Sequence, residues 1–151
     1  MRTYLVIIDE SEEAEVALRF AARRAAKTGG SVRILAIVPP PEFVQWGGVQ
    51  ATMEEEARQR AEAMVMGSAG AMMEELGIRP VITVKSGEAI ATIRKVLEED
   101  DSISALVLAA AATGAPGPLV AHFATGEVGK LPCPIMIIPG GLGKDEIDRL
   151  S

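Results

Sequence analysis

The chain has a single cysteine, Cys133, so no disulfide can form within it. A fold held by covalent cross-links is excluded, and a lone thiol fits a reducing compartment. Histidine is equally scarce, with only His122. Aromatic residues number five: three Phe, one Trp and one Tyr. The core must therefore come from Val, Ile, Leu, Ala and Met. No apolar run reaches the roughly 18 residues that a membrane span needs. The opening "MRTYLVIIDESEE" has no signal-peptide cleavage pattern. Positive charge is also short, since 15 Lys and Arg against 21 Asp and Glu leave a net −6. That balance argues against nonspecific binding to a nucleic-acid backbone. These absences lead us to expect a cytoplasmic protein that uses neither nucleic acid nor membrane as partner.

What is present fits one ordinary domain, because 151 residues with 48% hydrophobic content can bury a proper core. "TYLVIID" (residues 3–9) is a continuous β-rich run of the kind buried on both faces of a sheet. "DESEE" follows, with Ser11 or Asp9 as the expected N-cap of an alanine-rich helix that ends at "TGG". "SVRILAIV" (31–38) is a second strand, and the βαβ unit makes the two parallel. "PPPEFVQWGG" (39–48) must be a loop. A long helix is expected over 52–76, with Met64, Met66, Met72 and Met73 as core filler. "RPVITVKSG" (79–87) and "ISALVLAA" (103–110) are the next strands, separated by a helix over 87–100. "CPIMIIP" (133–139) is the fifth strand.

Strands alternating with helices predict a single-domain α/β fold with an open parallel five-stranded sheet and helices on both faces. We expect the domain to span residues 1–141, followed by a polar tail, 142–151, with a short helix near its end. Ligands in such sheets sit beyond the carboxyl ends of the strands, where strand order reverses. Residues that follow strands one, two and four are the ones to inspect.

Three stretches carry a resemblance. They are "LVIIDESEEAEVALRFAARRAAKTGGSVRILAIVPP", "SGEAIATIRKVLEED" and "LPCPIMIIP". In order and spacing the chain resembles the universal stress protein family over nearly its whole length. The resemblance implies strand order 3-2-1-4-5 in an adenine-nucleotide alpha-hydrolase-like fold. It also implies a homodimer made by pairing the last strands, here Pro134, Met136 and Ile138. One branch of the family binds ATP through an Asp after the first strand, a Val after the second and a late loop. That loop reads Gly, two residues, Gly, nine residues, Gly, then Ser or Thr. Asp9, Val38, Gly114, Gly117 and Gly126 take those places in this chain by resemblance.

The loop departs from the pattern. Eight residues, 118–125, separate Gly117 from Gly126, and Glu127 stands where Ser or Thr belongs. Phosphates bind where several backbone N–H groups converge. Pro116 and Pro118 have none, and Pro118 suits the first position of a helix. Hydrogen bonds to charged groups contribute about 1.5–3 kcal/mol each. Losing two weakens binding by about 10² to 10⁴. No Lys or Arg lies between Asp101 and Gly129, and Glu10, Glu12, Glu13 and Glu127 add negative charge. ATP binding is therefore disfavoured and no cofactor is required.

Other candidates carry less chemistry. Asp9 serves either as a ligand-binding carboxylate or as a helix cap. His122 falls on an expected helix over 118–130, with no cysteine or carboxylate at metal-ligand spacing, and reads as a surface or interface residue. Cys133, between two prolines, reads as a packed thiol. Phe43 and Trp46 lie in the loop after strand two, where they line a pocket, meet a partner or anchor the loop. Residues 98–101 read as a solvated acidic face. No catalytic motif or metal site is present, so we expect no enzyme. The function expected is a dimeric stress-response or regulatory binding module without tight ATP binding, with an unknown protein or small-molecule partner. The alternative is an adenine-nucleotide switch that uses a remodelled glycine loop and hydrolyses ATP weakly.

Overall fold

Five aliphatic runs pair side by side, all in the same direction, in the order β3-β2-β1-β4-β5. The computed structural model describes residues 1–9, 11–38 and 47–151, with 47–50, 68, 69 and 72 described by backbone alone. Glu10, Phe43 and Trp46, with the rest of 39–46, lie outside the described residues. The strands are β1 Thr3–Ile8, β2 Ser31–Val38, β3 Val81–Ser86, β4 Ile103–Ala110 and β5 Ile135–Pro139. The helices are α1 Ala14–Thr28, α2 Gly47–Met64, α3 Gly70–Leu76, α4 Ala89–Glu99, α5 Pro118–Phe123 and α6 Lys144–Leu150. Among the described residues no helix is long and apolar enough to cross a membrane.

The central strand shows why the sheet needs two covered faces. In β1, Tyr4 to Ile8 are all buried, and successive side chains point to opposite sides. Tyr4, Val6 and Ile8 join a cluster with α1, while Leu5 and Ile7 join Leu35, Leu106, Ile93 and Phe123. Alanines at 14, 17, 21, 22 and 25 let α1 lie close on the first face. α4 and α5 cover the second through Ile93, Leu97, Val120 and Phe123. β1 lies between β2 and β4, so strand order reverses between β1 and β4. The crevice at their carboxyl ends is where a ligand belongs.

Several local expectations are corrected. α1 begins at Ala14 after Glu13, with no side-chain cap, because the Asp9 carboxylate is engaged by Ser11 instead. The long helix starts at Gly47, inside the expected loop, and passes through a π turn, Val65–Ala69, before α3. Met73 is buried and Met64 packs at the core's edge, but Met66 is 77% exposed, so it fills nothing. The side chain of Met72 lies outside the described residues. The expected helix over 118–130 stops at Phe123, and a 3-10 turn, Val128–Lys130, follows. Thr125 ends it by donating its hydroxyl to the carbonyls of Ala121 and His122. Asp100, expected in a solvated face, accepts from Arg33 at 2.6 Å and from the Ser102 hydroxyl at 2.5 Å.

Residues 142–151 are tied to α1. Ile147 of α6 is 2% exposed and belongs to the α1 cluster. Asp148 pairs with Arg19 and Arg23, and Lys27 donates to the Asp148 carbonyl at 2.8 Å.

Candidate functional site

Asp9 leaves the end of β1 at the junction of three cavities. A small one, about 70 Å³, lies between Asp9, Ser11 and Glu13 and the Pro116–Gly117–Pro118 turn. A second, about 540 Å³, opens toward α2 beside Glu12, Glu15, Arg60 and Met64. A third, about 380 Å³, lies toward α4 and α5, over Ile7, Ile8 and Ile37, with Glu88, Pro118 and Leu119 around it. Asp9 lines all three. Its Oδ1 accepts from the Ser11 backbone N–H at 2.9 Å and from the Ser11 hydroxyl. This small turn engages the Asp9 carboxylate and accounts for the missing cap.

Of the other residues expected at the site, Gly117 shares the small cavity with Asp9, and Val38, Gly114 and Gly126 line none of the three. Val38 is 2% exposed and lines none of these cavities; its neighbour Ile37 does. Gly117 lines the small cavity with φ 109°, a left-handed conformation that a side chain rarely adopts. Gly114 has φ 75° but stands exposed outside the cavities, and Gly126 lies in the exposed turn after α5.

The amide supply at this end is limited. From Ala115 to Leu119, Pro116 and Pro118 remove every second N–H. The Pro116 carbonyl already accepts from Ala111 N–H at 3.1 Å. At the start of α4, Glu88 folds back and accepts from the amides of Ile90 and Ala91 at 3.0 and 2.8 Å. Those two amides hold the Glu88 carboxyl below the usual carboxylate range. An anion approaching α4 would meet a carboxylate where it needs free donors.

The charge expected from Glu127 is spent elsewhere. Arg94 of α4 donates to Glu127 at 2.5 Å, and His122 Nε2 lies 2.9 Å from its other oxygen. His122 thus has a carboxylate partner that the sequence did not suggest, and among the described residues no group of three metal-ligating side chains forms. The Phe123 ring meets the imidazole edge-on, with centroids 5.1 Å apart. Burial pushes the Cys133 thiol up, against a smaller opposing hydrogen bond from the Leu106 backbone. The thiol is half-buried at the entrance to β5, and a raised thiol holds less of the reactive thiolate.

Sequence reasoning missed the apolar walls. Ile7, Ile37, Ala89 and Leu119 come from four separate elements, and each reads only as core in its own segment. The available signal was the last inward-facing residue of each strand, not the polar residue after it. Arg94 was missed because its partner Glu127 is 33 positions away.

The universal stress protein family model matches residues 1–139. No curated protein sequence matches the chain closely enough to count as a relative. Solved structures share the fold. The universal stress protein UspA from Lactobacillus plantarum is 18% identical, with TM-score 0.62 over 91% of this chain and 97% of that one. A universal stress protein from Archaeoglobus fulgidus, solved in complex with dAMP, is 19% identical, with TM-score 0.60 over 91% and 98%. Another universal stress protein, solved in complex with cAMP, is 12% identical, with TM-score 0.62 over 93% and 98%. With the strand order, the Asp9 turn and the crevice at β1 and β4 in place, the chain belongs to the universal stress protein family.

Proposed function

We propose that this chain is a stress-response regulatory module that holds a small ligand or partner at the crevice beside Asp9 and does not bind ATP tightly. The observation that carries the reading is the Pro116–Gly117–Pro118 turn. A phosphate nest needs successive N–H groups, and the turn interrupts them at each proline. Glu88 adds to this by occupying the first amides of α4. The module acts as a binding device, not as a catalyst, and needs no bound cofactor. Titration calorimetry with Mg-ATP tests it. A dissociation constant weaker than about 100 µM, about −5.5 kcal/mol, is expected; tighter binding overturns the reading.

A second reading is an adenine-nucleotide switch with weak ATPase activity. Two solved members of the family carry dAMP and cAMP in their complexes, and Asp9, which lines the cavity over β1, is the residue that would meet a ribose in this reading. Adenine nucleotide found in protein purified without added ligand would favour it. Asp9→Ala should then release the nucleotide, and unchanged retention would refute that contact.

The module works as a homodimer that pairs Met136 and Ile138 of β5, and Pro134 just before the strand, with their copies. Among the described residues β5 pairs only with β4, at one end of the sheet. Its Ile137 is 40% exposed, and an apolar sheet edge favours such pairing.

A further inference from the structure

We propose that the cavity of about 380 Å³ between β1, β2, α4 and α5 selects small organic cations that carry an apolar body, with Asp9 and Glu88 as the selecting residues. This rests on the reading of the crevice as a ligand site without tight ATP binding, and it names the ligand class.

The cavity has an aliphatic interior and an acidic rim. Ile7, Ile8, Ile37, Ala89, Pro118 and Leu119 present carbon surface to an occupant. Asp9 and Glu88 are the only charged groups that line it among the described residues. Both are carboxylates already oriented by hydrogen bonds: Asp9 by Ser11, and Glu88 by Ile90 and Ala91. A carboxylate accepts up to about four hydrogen bonds. The observed bonds use one oxygen of Asp9 and one acceptor position on each oxygen of Glu88. The remaining capacity suits a protonated amine, which brings three donors and the opposite charge.

Anions face the reverse situation. The α4 amides at 90 and 91 are occupied by Glu88 itself. Pro118, where α5 meets the cavity, has no N–H to give. Among the described residues no Lys or Arg lines this space. The apolar body supplies affinity through burial, and the rim sorts ligands by charge. Both carboxylates are exposed, so the sorting is modest and sensitive to salt.

The test uses one ring system with three charges, followed by ¹⁵N–¹H NMR titration of the full chain. The probes are tryptamine, 2-(indol-3-yl)ethanol and indole-3-propionate, with Mg-ATP titrated into the same sample. We expect shifts at the amides of Ile7, Ile37, Ala89 and Leu119. Tryptamine should bind about three- to tenfold tighter than the propionate at low salt, with the alcohol between them. The gap should close at about 0.5 M salt. The double variant Asp9→Asn, Glu88→Gln keeps hydrogen-bond acceptors at both places and should erase the preference while retaining affinity for the alcohol. Equal or tighter binding of the propionate overturns the proposal, as does the absence of shifts from every indole. A preference unchanged in the double variant overturns the assignment to these two residues. If Mg-ATP binds tightly, the reading of the site fails; if it does not and the indoles are not sorted, only the ligand class fails.

Discussion

Arg19 and Asp148 form a two-pronged pair across 129 positions of sequence, with Nε 3.2 Å from Oδ1 and Nη2 2.9 Å from Oδ2. The pair closes α6 onto α1. Arg23 reaches the same carboxylate, and Lys27 and Arg24 donate to the carbonyls of Asp148 and Ser151. Four cations of one helix thus meet the last turn of another, where carbonyl groups are left over.

The pair and the apolar anchor beside it should separate in a mutational comparison. Asp148→Asn keeps the shape and removes the charge, so it should cost about 1 kcal/mol, since the pair is partly exposed. Ile147→Ala should cost about 2–5 kcal/mol, because Ile147 is buried. Urea denaturation measures both. A larger loss from Asp148→Asn than from Ile147→Ala would mean that charge, not burial, holds α6.

Acid should weaken the fold through four carboxylates, one of them Glu88, which the amides of Ala91 and Ile90 hold low. Arg94 and His122 hold Glu127 below the usual range. Ser102, with help from Arg33, does the same for Asp100. At Asp148 burial pushes upward, but Arg19 and Arg23 together outweigh it and the net direction is down. A depressed carboxylate stabilises the folded state fully above its unfolded value, about 4. That contribution is lost as pH falls through the folded value. The urea midpoint should therefore drop below about pH 4 on account of these groups, and Asp148→Asn and Asp100→Asn should each make the drop shallower. A midpoint whose acid slope ignores both substitutions would refute this account.

Glu88→Ala should loosen the first turn of α4. The amides of Ile90 and Ala91 lose their acceptor, and their hydrogen exchange should accelerate about tenfold or more, while Ile93 deeper in the helix is unchanged. Glu88→Gln should show a smaller effect, because it keeps an oxygen acceptor. Equal exchange in all three proteins would mean that water serves these amides as well as Glu88 does.

Ile137→Lys should shift the protein toward monomer in sedimentation. Ile137 is partly exposed on β5, so the stability of the single chain should change little. A dimer that persists would place the interface away from this edge.

The strands were legible because each is a short, nearly unbroken aliphatic run between polar or glycine breaks. β2 and β4 have the expected bounds, and β1 ends one residue earlier than expected. Helix ends were less legible, since they depend on single side chains. Thr125 stops α5 early with its hydroxyl, and Asp9 prefers Ser11 to the amides of α1. The polar tail concealed its attachment because "KDEIDRL" holds few apolar residues and its cationic partners lie more than 100 positions away. At the site, Asp9 was singled out by its place just after β1 and Gly117 by the resemblance, and both line the small cavity. The apolar walls were not singled out, because a cavity exists only once four elements meet.

The π turn at Val65–Ala69 contains one backbone unit beyond what an ordinary helical turn accommodates. Gly70 tolerates it, since a β-carbon there would lie 3.1 Å from the Val65 oxygen. Excising a single amino acid from this turn would let the segment relax into uninterrupted α-helix with Met64 and Met73 still facing inward. The same excision in the middle of α2 would rotate everything downstream by more than a quarter of a revolution and pull Met73 out of the interior. Natural variation in length along this segment therefore has one place where it costs little, and that place is already marked in the backbone.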